Sequence, residues 1–199
     1  MGSEMCIRDR IWGDDRDVEI WRGGSRRRIA SEVQDFCVSD CGKRLAVLVD
    51  DGRILEMEEE GELNRKGERD FDGCDSISYL RNGDLLIWKF SFSSEAFVLS
   101  RDGANSQSLE NFPAFVRQAA PSDIGVFLRT YDFCFLYDVD KQKRELIACS
   151  DHAMKSKTAK FRYFVCDPQG QRLFLECSDR ENSQNCGVLS MHRLDPERR

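Results

Sequence analysis

Four aspartates, Asp50, Asp51, Asp132 and Asp179, fall at turns between apolar segments, and carboxylate oxygens gathered from several turns are the ligands a calcium ion takes. The same residues have a second reading, since Asp occupies turns by hydrogen-bonding nearby backbone. His152 in "CSDH" and His192 in "LSMHRLD" are the two histidines. A nucleophilic site would need such a base held against an activated Ser or Cys. No G-x-S-x-G elbow, P-loop or G-x-G-x-x-G run accompanies them. We therefore assign no catalytic residue and expect no cofactor.

Nine cysteines raise the question of metal or disulfide chemistry. Zinc sites bring two ligands from one tight turn, as in CxxC, and no CxxC occurs. "CVSDC" (Cys37, Cys41) and "CSDH" (Cys149, His152) are half-sites without a matching second pair. Together with Cys74, Cys134, Cys166, Cys177 and Cys186, these cysteines read as reduced thiols packing as small hydrophobes. No N-x-[ST] sequon is present. Both features point to an intracellular, cytoplasmic protein.

For binding, the richest stretch is "RTYDFCFLY", where Arg129, Tyr131 and Phe133 place an arginine and two aromatics in one loop. These residue types dominate interface hot spots, although aromatic core packing is the competing explanation. "EMEEEGE" reads as a solvated strand end and turn, or as an acidic docking patch. "RGGSRRRI" reads as a hairpin turn followed by an edge strand protected by charge.

The elements that position these residues follow from a repeat. "SDCGKRLAVLV", "LRNGDLLIWKF", "PSDIGVFLRTY" and "DPQGQRLFLEC" align on Gly42, Gly83, Gly125 and Gly170, spaced 41, 42 and 45 residues apart. Leu45, Leu86, Leu128 and Leu173 follow three positions later, and Phe36, Ile77, Ala119 and Phe164 precede by six. Each unit reads as an incoming strand, such as "AFVRQAA", a tight glycine turn, and a continuously apolar second strand such as "DLLIWKF" or "VFLRTY". A more polar third strand and a weak, charged fourth strand complete it. Four strands in about 41 to 45 residues is the rhythm of a propeller blade.

"VEIWRGGSRRRI" and "FLYDVDKQKRELI" resemble the end of a WD repeat, and "SDCGKRLAVLVDDGRILEME" resembles its middle. Tyr137–Asp138 stands closest to the Trp-Asp dipeptide, and no Gly-His dipeptide occurs. The resemblance to WD-repeat-like β-propellers spans Ile11 to Pro196. It implies an all-β fold: a propeller fragment of about four blades of four-stranded antiparallel sheets plus a partial N-terminal blade. The expected segments are 11–31 (partial), 32–72, 73–113, 114–158 and 159–199 (incomplete). Residues 1–10, "MGSEMCIRDR", resemble an in-frame translation of a tagmentation sequencing adapter. They are expected to lie outside the fold, with a longer gene upstream.

A net charge of −6, unchanged without those ten residues, argues against a nucleic-acid partner, whose footprint is a concentrated basic face. No apolar run reaches the roughly 18 residues of a membrane span, so no membrane partner is expected. The leading functional expectation is a non-catalytic scaffold that binds a protein or peptide through loop residues. The alternatives are a propeller hydrolase or lactonase with a channel calcium on Asp132 and Asp179, and a sensor domain attached to a missing enzyme domain.

Overall fold

A computed structural model describes residues 6–11, 16–22, 25–58, 62–150, 158–179 and 188–193. Its strands form five antiparallel sheets in chain order. The first holds β1 (Cys6–Ile11), β2 (Arg16–Arg22) and β3 (Ser25–Ala30), and the second β4 (Val33–Val38), β5 (Arg44–Val49), β6 (Ile54–Glu58) and β7 (Asn64–Arg65). The third holds β8 (Ser76–Tyr79), β9 (Leu85–Trp88), β10 (Ala96–Leu99) and β11 (Ser106–Ser108). The fourth holds β12 (Gln118–Ser122), β13 (Gly125–Arg129), β14 (Phe133–Asp138) and β15 (Lys143–Cys149), and the fifth β16 (Ala159–Cys166), β17 (Arg172–Asp179) and β18 (Val188–Arg193). Each is a meander in which consecutive strands pair.

Burial grades across each meander. Every residue of β5 and of β9 is buried, whereas β7 and β11 are fully exposed. A strand covered on both faces needs an unbroken apolar run, and "LAVLV" and "LLIW" supply one. The polar outer strands "NR" and "SQS" leave an edge that resists pairing with another chain. The repeat leucines Leu45, Leu86, Leu128 and Leu173 are wholly buried.

Three repeat glycines occupy one turn geometry: the amides of Gly42, Gly83 and Gly170 donate to the carbonyls of Ser39, Leu80 and Asp167, three residues back. Gly125 differs, because Ser122 pairs with it across a two-residue turn that makes it the first residue of β13. Strand limits also differ from the sequence reading. β9 ends at Trp88, β13 ends at Arg129 and β12 begins only at Gln118, so Phe90, Phe115, Arg117 and Tyr131 lie in connections. At the N-terminus, where residues 1–10 were expected outside the fold, Cys6–Ile11 pair along β2 from Cys6↔Trp21 to Ile11↔Arg16. Backbone N–H and C=O groups are enough for an added edge strand, whatever its side chains.

The chain divides into two compact units: residues 1–87 with 98–107, and residues 88–97 with 108–199. In the first, Val18 and Ala30 pack with Val33, Leu45, Val47, Val49 and Met57, so the first sheet covers a face of the second. A buried polar network ties the second sheet to the first strand and turn of the third. The Glu56 carboxylate accepts from the Tyr79 hydroxyl at 2.6 Å, from Lys66 Nζ at 2.5 Å and from Arg44 Nη1 at 3.4 Å. Arg44 also donates to the Gly83 carbonyl at 3.2 Å and lies 4.8 Å from the centroid of the Tyr79 ring. Burial, followed by the hydrogen bond to Glu56, pushes the Tyr79 phenol far above its ordinary range, so it stays a donor. A β-carbon on Gly83 would lie 2.5 Å from Arg44 Nη2, and its φ of +88° suits glycine.

In the second unit, Phe127, Cys134 and Ala148 pack against Phe161, Phe164, Leu173, Leu175 and Cys177. Burial pushes the Cys134 thiol up to about 12 and the Cys177 thiol up to about 11, from an ordinary value of 9.0.

Two outcomes are expected. Glu56→Ala leaves two buried cations without their anion and should cost about 3–5 kcal/mol, read as a lower urea midpoint. Because the folded thiols titrate above their unfolded values, their contribution is intact below pH 9.0 and is lost as pH rises through about 12. Urea midpoints measured from pH 8 to pH 11 should therefore fall, and fall less steeply in Cys134→Ala.

Candidate functional site

In a four-stranded meander, the connections after the second and fourth strands leave the sheet at the same end. Three such connections in the second unit carry aromatic residues: 89–95 after β9, 109–117 after β11, and 130–132 after β13.

The 109–117 connection is anchored from beneath. Leu109, Phe112 and Val116 are buried, and the Phe112 ring meets Tyr137 edge-on at 5.5 Å. Trp88 Nε1 donates to the Val116 carbonyl at 3.0 Å. With its neighbours held inward, Phe115 adopts φ +56°, a left-handed conformation rare for a bulky residue. Its amide reaches the Ser91 carbonyl at 3.2 Å, coupling the first two connections. In the third, Thr130 Oγ1 accepts from the amides of Asp132 (3.3 Å) and Phe133 (3.0 Å), closing a tight turn that presents Tyr131.

The side chains then assemble into one patch. The Phe92 and Phe115 rings meet edge-on at 4.4 Å, and Phe115 meets Phe90 at 5.5 Å. The Arg117 guanidinium lies against two near-perpendicular rings, 4.1 Å from the centroid of Phe90 and 4.2 Å from that of Tyr131. One of its N–H groups donates to the Tyr131 hydroxyl. Phe92 is 89% exposed; an aromatic ring left in water, yet packed on a second ring, is an unusual surface feature.

The three residues expected to bind a partner divide. Tyr131 joins the patch, and Phe133 is exposed beside Phe135, ring centroids 5.9 Å apart. Arg129 is buried, its guanidinium donating to Gln118 Oε1 at 3.2 Å and to the Phe161 carbonyl at 2.8 Å. It holds the fourth and fifth sheets together, and Arg117 takes the exposed position. The signal that could have found Phe90 and Phe92 is looser: like Tyr131, they stand in the stretch just after a repeat leucine, four and six residues past Leu86 where Tyr131 is three past Leu128.

Among the aspartates, Asp132 is ion-paired with Lys160, Asp50 with Arg16 at 3.0 Å, and Asp51 with Arg53 at 2.6 Å. The Asp179 and His192 side chains and all of His152 lie outside the described residues. Among the described residues, no three His, Cys, Asp or Glu side chains converge as a metal site would require. Glu56 of "EMEEEGE" is buried in its polar network rather than solvated. Cys74, Cys134 and Cys177 are buried, and Cys41 is exposed, its thiol lowered chiefly by a hydrogen bond with the Ser39 hydroxyl.

Comparison with solved structures decides the fold. YCF48 bound to D1 peptide superposes with a TM-score of 0.61 at 11% identity, over 94% of this chain and 66% of that one. The Cps50 (Swd1) beta-propeller domain of Myceliophteria thermophila gives 0.62 at 13% identity, over 98% and 67%. The fold is that of a β-propeller. Hydrazine synthase of Kuenenia stuttgartiensis also superposes, with a TM-score of 0.60 at 11% identity over 90% of this chain and 60% of that one. The chain thus spans between 60% and 67% of the length of these three chains. No protein-family model and no curated protein matches it.

With Asp132 paired to Lys160, calcium should find no strong site there. Millimolar calcium should leave the melting midpoint unchanged; a rise of several degrees that is lost in Asp132→Asn would identify a bound cation.

Proposed function

We propose that this chain is a non-catalytic propeller platform that binds a protein or peptide segment at the patch formed by Phe90, Phe92, Phe115, Arg117 and Tyr131. The observation that carries this reading is Phe92, 89% exposed and packed on Phe115 beside a ring-stacked arginine. Aromatic and arginine side chains on a rigid base lose little entropy on binding and dominate interface energetics. The three connections are cross-tied by backbone and side-chain hydrogen bonds, so the patch is preorganised. A propeller with a similar fold, YCF48, has been seen bound to D1 peptide, which supports a peptide or protein partner. The ion-paired state of Asp50, Asp51 and Asp132 favours this reading over a hydrolytic one. A cytoplasmic location, drawn from the thiol content and the missing sequon, belongs to the same proposal.

Panning a random peptide display library on the full 199-residue chain tests it. Binders are expected whose retention falls roughly tenfold in Phe92→Ser, the size of a hot-spot loss. The melting midpoint should hold, since an exposed substitution costs within about 0.5 kcal/mol. Absence of any binder sensitive to Phe92→Ser, or turnover of a small ester or lactone, would overturn the proposal.

A further inference from the structure

Arg117 and Arg129 are neighbours across the fourth sheet, joined by the Arg117 amide donating to the Arg129 carbonyl at 2.7 Å. Neither has a carboxylate partner among the described residues. The bonds of Arg129 go to neutral oxygens, Gln118 Oε1 and the Phe161 carbonyl, and the guanidinium of Arg117 donates to the Tyr131 hydroxyl. The adjoining acid, Asp132, is occupied by Lys160. Arg16, Arg53, Arg65 and Arg81, by contrast, are each paired with a carboxylate. Two guanidinium groups without a carboxylate thus lie at one spot in a chain of net charge −6.

The stacking of Arg117 adds geometry to that charge. The Phe90 and Tyr131 rings, near-perpendicular with centroids 6.4 Å apart, both lie against the guanidinium, and the exposed side of Arg117 is the route to a ligand. A guanidinium carries five donors in a planar fork that matches the two oxygens of a carboxylate. Flanking rings exclude water from one side, and a charge-assisted hydrogen bond made there is roughly twice as strong as a neutral one. Beside this guanidinium, Phe115 and the exposed Phe92 offer an apolar surface. The buried Arg129 is disfavoured in its charged form first by burial and then by Arg117, and an anion beside Arg117 relieves the second cause.

We infer, resting on the binding reading above, that the occupant of the patch is an acidic peptide segment. A carboxylate of this segment meets the Arg117 guanidinium, and an adjacent aromatic or branched aliphatic side chain lies on Phe92 and Phe115.

The peptides retained in a Phe92-dependent way by the panning experiment provide the probes. Their sequences should be enriched in Asp or Glu within about two positions of Phe, Trp, Leu or Ile, the reach of neighbouring side chains on an extended segment. Changing that acid to its amide should weaken binding by about tenfold, and Arg117→Gln should do the same. In Arg117→Gln the peptide change should then have almost no further effect, the signature of direct coupling. Arg117→Lys, which keeps the charge and loses the fork, should fall between the two. An unchanged melting midpoint shows that each variant is folded. Phe92-dependent binders that are basic or uncharged, or that lose affinity independently of Arg117, would overturn the acidic-segment inference and leave the binding reading standing. Finding no Phe92-dependent binder would overturn both.

Discussion

The second strand of each complete blade lies under cover on both faces, and the remaining architecture is built around that requirement. β5 and β9 expose nothing, so each needs a neighbouring strand on either side and a neighbouring layer above and below. An apolar run of four to six residues is too short to bury itself, and an isolated sheet would leave one face in water. Packing blade on blade solves this in each unit: Val18 and Ala30 cover the second sheet, and Phe161 and Phe164 meet Phe127 in the fourth and fifth.

Hydrophobic faces alone do not fix how far one blade is turned against the next, because apolar contact is non-directional. Polar ties supply the direction. In the first unit, Arg44 reaches the Gly83 carbonyl and Asp35 accepts from the Ile77 amide at 3.0 Å. In the second, Arg129 reaches the Phe161 carbonyl and Gln118 the Phe164 carbonyl. Both units thus place an arginine from a second strand beneath the surface to hold the next blade. This use of Arg129 explains why exposed arginine chemistry falls to Arg117, one step outside the strand.

The repeat was legible because blades obey a spacing that any one turn reveals. Glycine and leucine recur together, since a tight turn and a doubly covered strand are both demanding of residue type. The patch was only half legible. Tyr131 was visible through its loop, but Phe90, Phe115 and Arg117 stood inside stretches that read as strands. "DLLIWKF" and "AFVRQAA" carry no local signal for where pairing stops. It stops at Trp88 because the Phe90–Phe92 segment turns out toward Phe115, and it starts at Gln118 because Val116 is held by Trp88. The same limit applied to Glu56, which stands in a run of acids and is drawn inside by Lys66, Arg44 and Tyr79.

The amino-acid sequence by itself determined the all-β class, the number of repeat units and the strands that must be buried, because those depend on residue type at a short, regular spacing. Tertiary structure alone decided which charges are spent and which are available. Arg44, Arg117 and Arg129 all flank apolar strands in the sequence. Two of them find carbonyl acceptors on the next blade, and the third is held against two rings at the surface. That difference depends on which groups the fold brings within hydrogen-bonding reach from 30 or more residues away, a distance over which no local pattern carries information.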